Sequence, residues 1–426
     1  MRGTDSTLEP MPSERLSILR NFSWNLVGNV LYALSQWGML IAISKFLDVA
    51  AVGEYTLALA LTSPVIQFTN MQMRSVQVTD VEEEFAFSTY LGFRLLLTCI
   101  GFIVIITVGF WSGGEWQAYL VIVSVGLAKS FESISDIIYG LFQKHERMNF
   151  IGRSLILKSV LSFGTVVGGV ALTHDLVVAT VSQACSWLLL LLFYDMKNAK
   201  KFVSIKVTLA HSSTYSLLWK GVPLGLVMLM ISLNTNVPRY FISHFLGTEY
   251  LGYFGALSYV VIAGNTFVLA LGQSSSPRLS RYYADRSMRD YIKMTSRLCA
   301  VGGVIAIVPI AVIRLWGGTI LSLVYKSSYA SYSWVFFLLM ISAGIGYVTS
   351  FLGYSVTAAR YFRIQPVILF LTVLATFLTS LCLVPNRGLD GAAYALIAGA
   401  SVQFLSTGLV YLWIVRSGYK LMSRTL

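Results

Sequence analysis

Charge is scarce in this chain. Asp, Glu, Lys and Arg make up 12% of its 426 residues, about half the quarter found in soluble domains. So few charges cannot cover a soluble surface of this size, which excludes an ordinary soluble enzyme. Cysteine is scarce too: Cys99, Cys185, Cys299 and Cys382 never fall at CxxC spacing. They read as small apolar packing residues inside hydrophobic runs, not as a disulfide or metal framework. The histidines, His145, His174, His211 and His244, are scattered without ligand spacing, so no metal is expected. There is no GxxxxGK[ST] phosphate loop, since GLAKS at 126–130 lacks the Gly before Lys. HExxH and GxSxG are also missing, and no cofactor or enzymatic activity is implied. Disorder is excluded by the 56% hydrophobic content.

What the chain does have is long apolar runs. A membrane span needs about 20 such residues. Twelve runs qualify, at 21–44, 51–72, 86–111, 116–142, 152–173, 176–195, 217–246, 250–272, 294–314, 331–356, 365–385 and 390–416. The expected fold is therefore all-α, a polytopic membrane protein. Residues 1–20 are polar and show no secretory signal peptide, so the N-terminus is expected in the cytoplasm. Twelve spans return the C-terminus to the same side. With that topology, and with residues at the very edges of spans counted in the adjoining loop, the inside segments hold 23 Lys and Arg and the outside loops four: Lys45, Arg314, Lys326 and Arg387. This is the positive-inside asymmetry. It accounts for most of the net charge of +12 without invoking nucleic acid. The acidic run DVEEE at 80–84 reads as a solvated turn in an inside loop.

The two halves echo each other. FLDVAAVGEY at 46–55 returns as FLGTEYLGYF at 245–254, with Gly53 matching Gly252 at an offset of 199. The shared Gly suggests a tight start to the next helix. YGLFQKHER at 139–147 pairs with LGYSVTAAR at 352–360 at an offset of 213, and Arg94-Leu95 echoes Arg297-Leu298. The expected organisation is an N-tail 1–20, a six-helix lobe 21–195, a basic linker 196–216, a second six-helix lobe 217–416 and a C-tail 417–426. Parallel repeats of this kind are related by an axis along the membrane normal, with a site near mid-membrane and alternating access.

Polar residues inside spans are costly, about 2.5–3.5 kcal/mol per charge on insertion scales, and mark cavities or partners. The fourth span carries Lys129, Glu132 and Asp136, with Tyr139 and Gln143 continuing that face at helical spacing. At offset 213 the twin positions Ser342, Ile345 and Thr349 carry no charge. The architecture therefore does not require charge there. The first span shows Asn25, Asn29, Tyr32 and Gln36 on one stripe, and the second Ser63, Gln67, Asn70 and Arg74. Together the stripes suggest a polar vestibule open to the cytoplasm; singly, each amide fits interhelical hydrogen bonding better. Lys158 lies near enough to the inner end of the fifth span to snorkel. Arg239 follows Asn234, Asn236 and Pro238 near the outer end of the seventh, a Pro-containing span of the kind that bends at binding sites. Arg94 and Arg297 read as snorkelling to the inner surface.

The chain resembles the polysaccharide-repeat-unit (Wzx-type) flippases of the multidrug/oligosaccharidyl-lipid/polysaccharide exporter superfamily. The resemblance rests on NFSWNLVGN at 21–29, FLDVAAVGEY with Pro64 downstream, and Arg74 before the acidic loop. In the second half it rests on FLGTEYLGYF, SSSPRLSRYYAD at 274–285 and VPNRGLDGAAYA at 384–395. It implies two lobes around a cavity and an undecaprenyl-diphosphate-linked oligosaccharide as cargo. That cargo would be moved from the cytoplasmic to the outer face of a bacterial inner membrane for O-antigen, capsule or exopolysaccharide. Lys129, Lys158, Arg74 and Arg239 would meet the diphosphate. Asn25, Asn29, Gln67, Asn70, Tyr32 and Tyr139 would meet the glycan, and Glu132 or Asp136 would carry a coupling ion. Other polysaccharide-assembly membrane proteins are further expected partners. Two alternatives stand: a cation-coupled drug exporter of the same superfamily and a membrane-embedded polysaccharide polymerase. Four embedded cations against two embedded acids weigh against the first. The short loops weigh against the second.

Overall fold

The computed structural model describes residues 18–112 and 115–422, and no strand occurs among them. The helices in chain order are α1 (Ile18–Phe46), α2 (Val49–Asn70), α3 (Phe87–Trp111), α4 (Trp116–Lys144), α5 (Met148–Thr173) and α6 (Leu176–Leu190). A short helix, Met73–Thr79, prolongs α2; a π-helical segment, Leu191–Met196, and a turn, Lys197–Ala199, prolong α6. Then come α7 (His211–Phe245), α8 (Thr248–Ala284), α9 (Met288–Val324) and α10 (Ser333–Ala358). The stretch Gln365–Met422 breaks at Gly388 (φ 58°, ψ −134°) into α11, 365–387, and α12, 389–422. Only glycine adopts that backbone readily, so the family-like block at 384–395 contains the hairpin between the last two helices. The helices correspond one to one with the twelve apolar runs.

These helices turn their apolar faces outward. On α9, Val304, Ile307 and Leu315 are 61%, 66% and 70% exposed, while Leu298, Gly302, Ala306 and Ile313 are buried. In water such a stripe would aggregate; in hydrocarbon it is the expected surface, and the helices satisfy their own backbone groups. Nine segments among the described residues are long and apolar enough to cross a membrane, the α11–α12 stretch counting as one. The charged α4 is not among them. The protein is a multi-pass integral membrane protein. The same outward apolar face corrects the reading of the cysteines. Cys99, Cys185 and Cys382 are exposed and Cys299 is half-buried, so three of them face the surroundings as small apolar groups.

Residues cluster into two units. The first comprises the chain up to Leu47 and Ala58–Leu229; the second comprises Asp48–Leu57 and Met230–Leu426. In the first, α1 packs on α5, α3 and α6 pack on α4, and α5 packs on α6. The linker is an ordered part of this unit, with the Thr208 amide bonded to the Ser88 carbonyl (3.1 Å). In the second unit α9 packs on α10, and α10 packs on α8 and on the α11–α12 stretch. Residues 1–17 of the expected N-tail and 423–426 of the C-tail lie outside the described residues.

The repeat is written into helix ends. α2 and α8 begin at Val49 and Thr248, which is the sequence offset of 199. The paired glycines do not serve a tight start, however. Gly53 is already inside α2, and a Cβ there would strike the Thr248 carbonyl, while one on Gly252 would strike the Val49 carbonyl. They permit the first turns of α2 and α8 to cross backbone against backbone. The second echo shifts by one residue. Glu146 (φ 56°) and Arg360 (φ 66°) are the left-handed residues that end α4 and α10. The next amides, Arg147 and Tyr361, reach back to Phe142 and Val356 (2.9 and 3.3 Å), the pattern of a Schellman cap. The structural offset is therefore 214, and Lys129, Glu132 and Asp136 match Ala343, Gly346 and Ser350. The twin helix remains uncharged. In the third echo, Arg94 is buried and Arg297 exposed, so the two share no environment.

Candidate functional site

Helical periodicity places Lys129, Glu132, Asp136 and Tyr139 on one face of α4. That face, with α1, the C-terminal part of α2 and the N-terminal part of α5, encloses a cavity of about 310 Å³. Asn25, Asn29, Tyr32, Gln67, Asn70, Arg74, Lys129, Glu132, Asp136 and Tyr139 all line it. Ser63 and Ser133 complete its polar lining; Ile66, Ile151 and Leu155 supply the apolar part. All these residues belong to the first unit. Ten of the twelve residues singled out in the sequence thus converge on one place.

Two ion pairs organise the cavity. Lys129 Nζ donates to Glu132 Oε2 (2.8 Å) and to the Tyr32 hydroxyl (3.4 Å), and Tyr32 donates to Glu132 Oε1 (2.5 Å). Arg74 Nη1 donates to Asp136 Oδ1 (3.3 Å), and its Nε donates to Gln143 Oε1 (3.0 Å). Both pairs are three-quarters to two-thirds shielded, with side-chain exposures of 23%, 25%, 28% and 32%. Aromatic faces carry the cations. The Arg74 guanidinium lies 5.7 Å from the Tyr139 ring, and the Lys129 ammonium 5.2 Å from the Trp187 ring, within cation–π range. Among the amides, Asn29 donates to the Asn25 carbonyl (2.7 Å) and Oδ1 (3.0 Å), whereas Gln67 is exposed to the cavity.

Several expectations change. Lys158 does not snorkel. It is 1% exposed and its ammonium has no hydrogen-bond partner among the described residues, lying 5.5 and 5.1 Å from the Tyr139 and Trp187 rings. It stands behind the cavity wall because its α5 face packs against α4 and α6. Arg239 belongs to the second unit and is not part of this cavity; it is 6% exposed and donates to Asn236 Oδ1 (3.0 Å). Tyr139 shows the cavity its ring, because its hydroxyl is bonded to Ser154 Oγ (2.7 Å). The acidic run is not simply solvated. Asp80 accepts from the amides of Glu84 (3.0 Å) and Phe85 (3.2 Å) and from the Tyr90 hydroxyl (3.0 Å). Glu83 and Glu84 pair with Lys144 (3.3 Å) and Lys220 (2.5 Å).

Residues 18–283 match the family described as "Polysaccharide biosynthesis protein". The chain belongs to that family. The capsular polysaccharide biosynthesis protein CapF of Staphylococcus aureus is 26% identical over 397 residues, covering 91% of this chain and 98% of CapF. The fold is similar to those of solved membrane transporters. A multidrug resistance MATE transporter of the MOP superfamily, solved inward-facing, superposes with a TM-score of 0.76 at 14% identity, covering 94% of this chain and 99% of its own. The lipid II flippase MurJ superposes with a TM-score of 0.68 at 13% identity, covering 94% and 91%.

Within this family member, Arg94, buried behind the cavity lining, is the residue that sequence reading undervalued. It is 1% exposed, bonds Asn70 Oδ1 through Nη1, and brings Nη2 to 3.8 Å from Asp136 Oδ2. Its Nε and Nη2 make no hydrogen bond among the described residues. Asp136 is thus shared between two guanidinium groups. Trp187 was likewise unmarked, although its ring underlies both lysines. The available signal was the charge of Arg94 inside a span with no acid on its own helix.

Proposed function

We propose that the protein flips a polyprenyl-diphosphate-linked oligosaccharide repeat unit from the cytoplasmic to the outer face of the membrane, for surface polysaccharide synthesis. The observation that carries this reading is the excess of cations around a small amide-lined cavity. Lys129 and Arg74 line the cavity opposite Glu132 and Asp136, and the buried Arg94 stands behind Asp136, so the cavity and its wall together carry one more positive than negative charge for an anionic headgroup. A phosphate oxygen can replace Asp136 on the Arg74 guanidinium, whose planar fork suits it. A cationic drug would find both carboxylates already engaged. The volume is at the lower end of small-molecule sites, about 300–1,000 Å³. It suits a diphosphate and the adjoining sugar, with the remaining glycan beyond the pocket and the lipid tail left in the bilayer. Gln67, Asn25, Asn29 and Asn70 offer paired donors and acceptors to sugar hydroxyls. The capsule-related name of CapF supports the cargo class, and the MurJ fold supports a flipping mechanism. The Lys/Arg asymmetry supports cytoplasmic termini. The repeat supports two six-helix lobes working by alternating access. Arg239, a buried cation in the second unit, is assigned to a later contact with the same diphosphate.

The test is complementation of a strain lacking the gene. Lys129→Ala and Arg74→Ala, each confirmed to insert at normal levels, should abolish surface polysaccharide and leave lipid-linked repeat units on the cytoplasmic side. Wild-type polysaccharide in both variants would remove the reading.

A further inference from the structure

One rim of the second unit carries cations that no other side chain engages. Arg281, Arg286, Arg289 and Lys293 come from the α8–α9 turn and the helix ends beside it. Arg360 and Arg363 come from the α10–α11 loop, and Arg416 from α12. All seven are exposed, and the same stretches hold only two acids, Asp285 and Asp290. Among the described residues, none of the seven side chains makes an ion pair, a hydrogen bond or a ring contact. The first unit treats its loop cations differently. Lys144 and Lys220 pair with Glu83 and Glu84, and Arg147 and Arg153 each lie 5.3 Å from a ring, of Phe150 and Trp24. A tyrosine cluster holds the rim together. The Tyr291 ring lies 5.6 Å from Tyr283 and 5.9 Å from Tyr411, and Tyr361 packs edge-on against Trp413 (5.3 Å). The Tyr291 hydroxyl donates to the Ser355 carbonyl (2.8 Å), and Tyr283, Tyr361 and Tyr411 share a core with Val356, Ala359 and Ile414. Beside them Phe362, Leu412 and Trp413 are each more than half exposed, so the cations border an open apolar surface.

Two observations separate this rim from a plain topology signal. The positive-inside rule is served equally by lysine and arginine, and the linker uses lysine alone: Lys197, Lys200, Lys201 and Lys206. Six of the seven rim cations are instead arginine, whose planar fork takes phosphate oxygens two at a time. The other observation is in the backbone. Arg286 (φ 56°) and Arg360 (φ 66°) are the left-handed residues that close α8 and α10. Each sits in a Schellman cap. The Arg286 and Ser287 amides reach back to the Tyr283 and Tyr282 carbonyls, and those of Arg360 and Tyr361 to Thr357 and Val356. Glycine is the usual residue at that position, so two arginines occupy a conformation that disfavours any side chain.

We propose that this rim binds anionic phospholipid. Its arginines take the phosphodiester of a headgroup such as phosphatidylglycerol, and Phe362, Leu412 and Trp413 border the acyl chains. A soluble acidic partner would match the charge but leave that apolar border in water; a lipid meets both. Tyrosine and tryptophan at the level of the cations fit the headgroup region. A bound anion replaces repulsion among the seven cations with shared contacts, and so ties the α8–α9 turn to the α10–α11 loop. The rim shares no residue with the cargo cavity, which belongs to the first unit. Only its assignment to the cytoplasmic leaflet rests on the orientation read from Lys and Arg.

The test uses the purified full-length protein in neutral detergent. Lipid retention is counted by native mass spectrometry after adding phosphatidylglycerol or phosphatidylcholine of the same chain length. The wild type should hold phosphatidylglycerol about tenfold more tightly. The double variant Arg286→Gly with Arg360→Gly suits both left-handed backbones, so its thermal midpoint in detergent alone should hold or rise. Its preference for phosphatidylglycerol should nevertheless fall about tenfold. Lys200→Gln with Lys206→Gln removes the same charge from the linker and should leave the preference intact. Equal retention of the two lipids by the wild type would overturn the proposal, and so would an unchanged preference in the double glycine variant. An equal loss in the linker variant would reduce the effect to overall charge and also overturn it. Displacement of phosphatidylglycerol by inorganic phosphate would make the rim a free-anion site instead of a lipid site. Failure of the complementation test would strike the cargo assignment and leave these lipid counts unaffected.

Discussion

Arg94 shows how a single side chain gains weight from its surroundings. Read along α3 it is a cation near the inner membrane surface, able to snorkel. Folded, it is sealed against Asn70 and Asp136, and removing one partner of a buried pair leaves the other uncompensated. Arg94→Ala should therefore destabilise the protein by about 3 kcal/mol, seen as a lower thermal midpoint of the detergent-solubilised protein. Arg94→Lys should fail to restore it, because one ammonium cannot serve both partners with a planar fork. An unchanged midpoint in Arg94→Ala would show that the buried guanidinium contributes nothing. Glu132 gives the complementary case. Glu132→Gln removes the acid that holds Lys129 but keeps its shape, so the cavity gains a net charge. Binding of inorganic diphosphate, followed by calorimetry, should tighten in Glu132→Gln and weaken in Lys129→Ala. No difference between the two would separate Lys129 from anion recognition.

Among the elements, α4 and the loop at 80–86 differ most from their sequence appearance. The α4 face was legible because Lys129, Glu132, Asp136, Tyr139 and Gln143 follow helical spacing, and five such polar groups in a span have few bland explanations. The acidic loop was not legible, because nothing in DVEEE announces that Asp80 folds back on two amides and the Tyr90 hydroxyl. Burial pushes the Asp80 carboxyl up, but those donors and the Lys144 charge outweigh it and hold Asp80 below the usual carboxylate value. A carboxylate depressed in the folded state stabilises the loop above its unfolded value and loses that contribution as pH falls through the folded one. Limited proteolysis within 80–86 should thus rise on acidification in the wild type. In Asp80→Asn it should be high and nearly independent of pH. A flat wild-type profile would show that the loop does not depend on this carboxylate.

For the whole molecule, topology and repeat make separate predictions. With the four native cysteines replaced by Ala, Ser287→Cys between α8 and α9 should react with an impermeant maleimide only after the membrane is opened. Ser327→Cys, between α9 and α10, should react in intact cells. The opposite pattern would invert the orientation read from Lys and Arg. Gly53 and Gly252 lie where α2 and α8 cross backbone to backbone. Gly53→Val should force those first turns apart and cut surface polysaccharide severely, while the half-buried Gly168, with open space beside it, should tolerate Ala. Full activity in Gly53→Val would show that the crossing is not required.

The sequence by itself determined the helices, their number, the membrane and most of the cavity lining. Hydropathy and helical period are local properties, and a costly charge in a span needs no partner in view to be noticed. Only the tertiary structure decided which charges meet. Lys158 turned from a snorkelling residue into a buried ammonium behind the wall, and Tyr139 gave its hydroxyl to Ser154 instead of the cavity. Asp195, at the margin of a basic linker, became the most enclosed acid of its unit. In each case the deciding contact comes from another helix, far along the chain, and a π turn or a neighbouring face redirects the side chain by an angle that no linear pattern records.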